Sequence, residues 1–167
     1  MSKALVIVAH PDDESLFFYA LIRRLTRDEG PVTVVTATGQ FKSAQDTSER
    51  MMEFARSCQK LGADYQSLDL HDIRGVPLKQ SELRARLRPL ATGKQFSHVY
   101  THNPWGDYGH PHHASVALAV SELFGARVFF LAGPMKSNLT LKLSRREYHA
   151  KTEHVKMSYK TQSFAWN

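Results

Sequence analysis

AHPDDES, residues 9–15, follows directly after the apolar run ALVIV near the start of the chain. The wider run of residues 3–9 is almost continuously apolar, which is typical of a parallel strand covered on both faces. A histidine, a proline and three consecutive acids then stand where this strand ends. Because ligands of open parallel sheets bind beyond the carboxyl ends of the strands, the pattern predicts a functional loop here.

The rest of the chain alternates between strand-like and helix-like segments. Further strands are predicted at residues 31–38, 63–70, 97–103 and 126–133, with an edge strand at residues 139–144. Helices are predicted at residues 14–28, 46–63, 81–92, 110–125 and 146–159, the third of them interrupted late by Pro89. This alternation predicts an α/β fold: a Rossmann-like, open, mostly parallel sheet of about five to six strands with helices on both faces.

The composition limits the class of protein. With 167 residues and 42% hydrophobic content, residues 1–167 are expected to form one domain. Cys58 is the only cysteine, so neither an intrachain disulfide nor a thiolate metal cluster is available. The formal net charge of +6 allows an anionic partner. However, the basic residues are scattered and accompany no nucleic-acid motif, so no specific nucleic-acid partner is expected.

The hydropathy pattern bears on localisation. The N-terminal apolar run is short and ends in charged residues, and no apolar run approaches the 18 residues that a membrane span needs. We therefore expect no signal peptide, no transmembrane segment and a cytoplasmic location.

The acids after the first strand would repel a phosphate and therefore favour a cation. Their loop also lacks the glycines of a dinucleotide site. A second polar segment, THNPWGDYGHPHHAS at residues 101–115, follows the fourth predicted strand. It holds four of the nine histidines, namely His102, His110, His112 and His113. Pro111 suits a first helical turn, and histidines three residues apart at a helix start can enter one cleft. Since a catalytic zinc site usually needs three protein ligands, the two segments together predict a metal site.

The pairing of AHPDDE with YGHPHH resembles the PIG-L (LmbE-like) family of zinc-dependent deacetylases, which remove N-acetyl groups from N-acetylglucosamine-containing substrates. Weaker similarities in VTATGQ, SERMMEFARSCQKLGA and KTEHVKMSYKTQ extend the resemblance over nearly the whole chain. The resemblance implies one Zn²⁺ per chain, or another divalent metal, and an amino-sugar or glycoconjugate substrate. Because the chain is short for this family, the roof of the cleft must be small or supplied by a neighbouring subunit, which allows a homo-oligomer.

The resemblance also assigns the metal site. It implies His10, Asp13 and His113 as the zinc ligands, and Asp12 as the general base that takes a proton from water. This division agrees with the chemistry, because imidazole and carboxylate suit zinc and a second carboxylate can accept the proton.

Further residues are implied to contact the substrate. Tyr108 and His110 match the positions beside the scissile carbonyl, where a hydroxyl and a protonated imidazole stabilise the oxyanion and His110 protonates the departing amine. Arg50 is assigned to substrate binding, with a surface salt bridge as an equal alternative. Asn103 is assigned to substrate binding as well, although either Asn103 or Asp107 could instead orient a histidine.

Two positions leave alternatives open. The family carries an acid between the two histidines of its second motif, whereas this chain has His112 there. Such an acid favours a protonated catalytic imidazole, so its absence leaves the pKa of His110 open. We expect His112 to be an exposed bystander. Glu14 either contacts the backbone of the metal site or caps the first helix, and we favour the cap.

The leading function is therefore metal-dependent hydrolysis of an acetamide on an amino-sugar-like substrate, which leaves a free amine and acetate. An amidase acting on a larger conjugate and a non-hydrolytic sugar-binding protein of the same fold are the alternatives. A nucleotide-binding protein is disfavoured because the first loop lacks glycine.

Overall fold

Five parallel strands form one open sheet in the computed structural model, which describes residues 4–93, 95–132 and 140–162. The strands are β1 (Ala4–Val8), β2 (Val32–Gln40), β3 (Asp64–His71), β4 (His98–Thr101) and β5 (Val128–Phe130). Their order is β3-β2-β1-β4-β5, so β1 is central and the strand order reverses between β1 and β4. This arrangement confirms the predicted Rossmann-like sheet.

The central strand is apolar because it is buried on both faces. Leu5 and Ile7 pack into the core on one side of the sheet, and Val6 and Val8 pack into the core on the other. Each fully buried aliphatic side chain of this kind contributes about 1.5–3 kcal/mol to folding. The burial holds β1 firmly, and with it the start of the loop that follows.

Helices cover both faces of the sheet. The described residues contain α1 (Asp13–Leu16), α2 (Tyr19–Asp28), α3 (Ala44–Leu61), α4 (Gln80–Thr92), α5 (Pro111–Phe124) and α6 (Arg145–Ser158). Side chains of α4 and α5 belong to one core and side chains of α2 and α3 to the other. Gly62, with a φ of 75°, ends α3 as the left-handed cap that its position predicts. None of the described helices is both long and apolar enough to span a membrane.

Three sequence-based predictions of the fold are wrong. The helix predicted at residues 14–28 is divided into α1 and α2, because Phe18 inserts its side chain into the core and is only 1% exposed. Helix α4 is not interrupted at Pro89 but continues through it to Thr92, although proline has no N–H to donate to the carbonyl four residues earlier.

The predicted sixth strand is also absent from the described residues. Residues 140–144 form no strand, and Leu139 lies outside the part of the chain that is described. Ser144 instead starts α6 with a capping box, in which its hydroxyl accepts from the N–H of Glu147.

Candidate metal centre and active site

The two polar segments meet at one edge of the sheet. The loop after β1 and the loop after β4 leave from neighbouring parallel strands, whose last paired residues are Ile7 and Thr101. Their carboxyl ends therefore point the same way, at the place where the strand order reverses. This topology brings residues about 100 positions apart in sequence into contact.

The carboxylate of Asp13 lies at the centre of a cluster of imidazoles. Its Oδ2 atom is 3.3 Å from Nδ1 of His10, 3.3 Å from Nε2 of His102 and 3.4 Å from Nε2 of His113. The backbone N–H of His10 also donates to it, over 2.8 Å. Burial by itself would raise the pKa of Asp13, but His102 and His10 outweigh it and hold that pKa well below its usual value. Asp13 is therefore a carboxylate at neutral pH.

The metal-ligating atoms of this region form three groups whose members all lie within 4.8 Å of one another. Among the described residues, the groups are His10, His110 and His113; Asp13, His102 and His113; and His10, Asp72 and His112. The predicted ligand set of His10, Asp13 and His113 is divided between the first two groups. His113 belongs to both of these groups, and His10 belongs to the first and the third.

Asp107 orients two of the imidazoles. Its Oδ2 atom accepts hydrogen bonds from Nδ1 of His102 over 2.5 Å and from Nδ1 of His113 over 2.8 Å. Burial alone would raise the pKa of Asp107, but these contacts hold it well below its usual value. Both rings therefore present Nε2 to Asp13.

The two Nε2 atoms differ in what they contact. The backbone N–H of Ala9 donates to Nε2 of His102 over 3.0 Å, which requires a lone pair on that nitrogen. Burial lowers the pKa of His102, while Asp13 and Asp107 raise it to about 9, but the Ala9 contact favours the neutral ring. Nε2 of His113 is buried and finds no hydrogen-bond partner among the described residues. The lone pair of His113 is therefore available to a ligand.

The donor set fits a zinc ion. Zinc accepts imidazole nitrogen and carboxylate oxygen, with three protein ligands at a catalytic site. His10, Asp13 and His113 supply two nitrogens and one oxygen, and the unpartnered Nε2 of His113 is the kind of buried atom that a metal would satisfy. Nε2 of His102 already accepts from the N–H of Ala9, so we do not assign His102 as a ligand.

The loop between β4 and α5 is held by its own polar groups. The amide oxygen of Asn103 accepts from the N–H groups of Trp105 and Asp107, and the N–H of Asn103 donates to the Asp107 carboxylate. Asn103 is 1% exposed and does not line the cleft. The side-chain oxygen of Asn103 is used to fold the loop, whereas its buried Nδ2 finds no hydrogen-bond partner among the described residues, so the assignment of Asn103 to substrate binding stays a prediction.

Asp12 has a strained backbone beside the cluster. Its φ of 132° is one that a residue with a side chain rarely adopts, and such strain concentrates at functional sites. Burial, followed by the charges of Asp13 and Glu14, raises the pKa of Asp12 well above its usual value. Arg50, with a guanidinium nitrogen 3.9 Å from Oδ2 of Asp12, acts in the opposite direction. Asp12 therefore has the raised proton affinity that suits a base.

Glu14 contacts the backbone of this loop. Its carboxylate is completely buried and accepts from the backbone N–H of Asp12 over 3.0 Å. The hydroxyls of Ser57 and Tyr159 each donate to it over 2.5 Å. Of the two alternatives for Glu14, the contact with the loop backbone is the one observed, since that N–H belongs to the residue that precedes α1.

His110 stands at the start of α5 and is neutral near pH 7. Burial, and after it the neighbouring His10, His113 and His112, lower the pKa of His110 to about 4. Its Nδ1 accepts from the N–H of His112 over 3.3 Å, so the ring proton is on Nε2. The lowered pKa favours a neutral His110 ring, where the sequence alone left the protonation state open.

A cleft of about 510 Å³ opens over the cluster. It is lined by His10, Asp12, Asp13, Leu16, Phe17, Phe41, Lys42, Asp46, Arg50, Asp72, Arg74, Tyr108 and His110. Tyr108 is 70% exposed, so its hydroxyl is available to a ligand. The Arg50 guanidinium lies 4.0 Å from the Phe41 ring centroid, which fixes it as part of the cleft wall. Arg50 is thus more than a surface salt bridge.

His112 is buried rather than exposed, so the expectation of a bystander is wrong. Its ring is 0% exposed, with Nδ1 2.9 Å from Nε2 of His10 and Nε2 2.7 Å from the carbonyl oxygen of Val76. Sequence reasoning missed this contact because Val76 lies in the connection between β3 and α4, which no motif marks.

Residues 5–124 match the PIG-L family, described as GlcNAc-PI de-N-acetylase. The chain belongs to this family. It is similar to Uncharacterized protein L374 of Acanthamoeba polyphaga mimivirus, with 29% identity over 132 residues. That match covers 71% of this chain and 56% of the relative, so the chain spans little more than half the length of this curated protein.

Solved structures share the fold. N,N'-diacetylchitobiose deacetylase from Pyrococcus horikoshii aligns with a TM-score of 0.78 and 18% identity, covering 97% of this chain and 71% of the other. GalB, the 4-carboxy-2-hydroxymuconate hydratase from Pseudomonas putida KT2440, aligns with a TM-score of 0.58 and 22% identity, covering 74% and 54%. At these identities the likeness defines the fold, and the two activities show that the fold alone does not fix the chemistry.

Proposed function

We propose that this chain is a metal-dependent hydrolase that removes an N-acetyl group from an amino sugar or a glycoconjugate. The observation that carries the proposal is the arrangement of two adjacent buried carboxylates: Oδ2 of Asp13 lies 3.3 Å from Nδ1 of His10 and 3.4 Å from Nε2 of His113, while Asp12 lines the cleft beside it with Oδ2 3.9 Å from Arg50. One suits a ligand and the other a base, which is the division that metal-assisted hydrolysis needs. Membership of the PIG-L family and the deacetylase among the structural neighbours support an N-acetyl substrate.

The proposed metal is one Zn²⁺ per chain, held by His10, Asp13 and His113. The unpartnered Nε2 of His113 and the deprotonated Asp13 support this assignment. When bound, zinc supplies a Lewis acid for the amide carbonyl and lowers the pKa of water towards about 7.

In the proposed reaction, Asp12 takes one proton from the water that attacks the carbonyl carbon. The carboxyl group of Asp12 holds that proton until the carbon–nitrogen bond breaks and then returns it to the departing amine. Acetate and a free amine are the products. This assigns to Asp12 the amine protonation that the family resemblance gives to His110, since a neutral His110 has no spare proton.

The oxyanion is stabilised by two side chains at the cleft. Neutral His110 donates through Nε2–H, and Tyr108 donates through its hydroxyl. Burial and nearby carboxylates raise the pKa of Tyr108, so it keeps its proton. Losing one such donor typically costs about 2.7–4 kcal/mol of transition-state stabilisation.

The cleft wall supports a polar substrate. Lys42, Arg50 and Arg74 supply cationic donors, while Asp46 and Asp72 supply acceptors. A mixed set of this kind suits the hydroxyl groups of a sugar. Arg50 stacks on Phe41 and has a terminal nitrogen 3.9 Å from Oδ2 of Asp12.

The test combines metal analysis with product detection. Purified protein is assayed for bound zinc and for acetate released from a panel of N-acetylglucosamine derivatives, including N,N'-diacetylchitobiose. We expect about one zinc per chain and acetate release that Asp12→Asn lowers by about 10²- to 10⁴-fold. Asp28→Asn, a substitution of an exposed aspartate, should leave it unchanged. Zinc without acetate release from any substrate would favour a binding protein, and absence of both would overturn the proposal.

A further inference from the structure

A chain of hydrogen bonds runs from the backbone of Val76 to the metal cluster. The carbonyl oxygen of Val76 is 2.7 Å from Nε2 of His112, and Nδ1 of His112 is 2.9 Å from Nε2 of His10. Nδ1 of His10 then lies 3.3 Å from Oδ2 of Asp13. His112 is 0% exposed and His10 is 8% exposed, so both rings are held inside the protein.

The chemistry of the groups fixes the position of each proton. A carbonyl oxygen only accepts, so Nε2 of His112 must carry a hydrogen. In the neutral ring, Nδ1 of His112 then carries a lone pair and accepts from Nε2–H of His10. A metal ligand must be a neutral ring, and in that form His10 has its lone pair on Nδ1, which faces Asp13. Asp72 does not compete, because its carboxylate oxygen is 3.7 Å from Nδ1 of His112, beyond hydrogen-bond distance.

We propose that His112 is a positioning residue, which fixes His10 as the Nε2–H tautomer and so presents Nδ1 to the metal. The inference rests on the proposed function for the identity of the metal site. Metal-ligating histidines usually donate their second nitrogen to a carboxylate or a carbonyl, and here the carbonyl of Val76 is reached through a second imidazole. His112 occupies the position where the family motif carries an acid, and in this chain it orients His10.

This hydrogen-bond relay from Val76 through His112 to His10 differs from the contact that orients His113. Asp107 orients His113 with a negative charge, whereas His112 and the Val76 carbonyl orient His10 with neutral groups. The relay also joins His10 to the segment that contributes Asp72 and Arg74 to the cleft wall. The metal ligand and this wall of the cleft are therefore linked by two hydrogen bonds.

Two substitutions separate the relay from simple packing. His112→Leu keeps an apolar side chain in the core but removes both hydrogen bonds. His112→Asn has an amide oxygen that can accept from His10 in place of Nδ1. His149→Leu is the matched control, since His149 is an exposed histidine of α6.

The first measurement is the tautomer of His10 in metal-free, ¹⁵N-histidine-labelled protein, read from the imidazole nitrogen spectrum and assigned with a His10→Gln variant. The second is zinc affinity by competition with a chelator. We expect Nε2–H on His10 in the unsubstituted protein, about a 10- to 100-fold loss of zinc affinity in His112→Leu, and recovery of most of that loss in His112→Asn. His149→Leu should match the unsubstituted protein.

Three results would overturn the inference. They are an Nδ1–H tautomer of His10, unchanged zinc affinity in a folded His112→Leu variant, and a second zinc per chain that His112→Leu removes, which would make His112 a ligand together with His10 and Asp72. If His112→Leu fails to fold, the tautomer of the unsubstituted protein still decides. Neither measurement uses a substrate, so a failure of acetate release leaves this inference standing, and its own failure leaves the proposed reaction standing.

Discussion

Asp107 accepts a hydrogen bond from Nδ1 of His113 over 2.8 Å, and the contact turns Nε2 of the same ring towards Asp13. The same carboxylate oxygen holds His102, so one residue sets the tautomers of two rings. The backbone of Asp107 adopts a φ of 64°, a left-handed conformation that aspartate tolerates. The loop that precedes α5 therefore orients two imidazoles of the proposed metal site.

Replacing Asp107 tests whether this residue orients the proposed ligand His113. In Asp107→Asn, the amide can no longer accept from His102, His113 and the N–H of Asn103 with two charged oxygens. We expect zinc affinity to fall by about 10- to 100-fold in a chelator competition. Asp69→Asn is the control, because Asp69 is an exposed aspartate with a similar φ of 52°. Equal zinc affinity in the two variants would show that Asp107 does not orient the ligand.

Glycine substitutions test how closely this loop is packed. Gly106 and Gly109 have φ values of 76° and 91°, so alanine at either position costs about 1–2 kcal/mol of stability. Only at Gly106 does an added Cβ meet another group, 2.4 Å from the carbonyl oxygen of His110. We expect Gly106→Ala to lose zinc affinity and turnover, and Gly109→Ala to keep both per folded molecule. Equal losses in the two variants would contradict the close packing.

His154 predicts a pH dependence of stability outside the metal site. Burial, aided by Lys60 and Arg23, lowers the pKa of His154 to about 4, against about 6.5 in the unfolded chain. Between these values the unfolded state binds the proton and the folded state does not. The free energy of unfolding is therefore unaffected by His154 above about pH 6.5 and decreases as the pH falls from there towards 4.

We expect the melting temperature of His154→Gln to depend less on pH over this range than that of the unsubstituted protein. Carboxylates that titrate in the same range are common to both proteins and cancel in the difference. If the melting temperatures of the two proteins change equally with pH between pH 4 and 6.5, His154 is not responsible.

Removing a proposed ligand should remove metal. Asp13→Ala and His113→Ala each delete one of three protein ligands, so we expect both zinc occupancy and turnover to fall. His149→Ala, on the exposed face of α6, provides the control for loss of a histidine. Full metal content with unchanged turnover in either variant would exclude that residue from the site.

The sequence predicts the sheet because its strands carry local signals. The apolar run before His10 and the β-branched run at residues 31–38 each identify a strand without tertiary information. The split between α1 and α2 was not predictable, because Phe17 and Phe18 continue an apolar pattern and only the packing of Phe18 breaks the helix.

The candidate site was predicted in part. The two motifs bring the proposed ligands and base together because they follow neighbouring strands. The roles of His102 and His112 depend on partners distant in sequence, since the N–H of Ala9 is 93 residues from His102 and Val76 is 36 residues from His112. Backbone groups carry no sequence signal, so these contacts required the fold.

The most direct test of the central claim compares Asp12→Asn with Asp13→Asn, with zinc content and kcat measured in the same preparations. Asp12→Asn keeps the size of the side chain and abolishes its proton affinity, so we expect zinc to remain bound while kcat falls by about 10²- to 10⁴-fold. Asp13→Asn removes a ligand charge and should lose zinc together with activity. If Asp12→Asn loses its zinc while Asp13→Asn retains it, the two carboxylates have exchanged roles, and if both variants keep metal and activity, the account of this site as a hydrolase is contradicted.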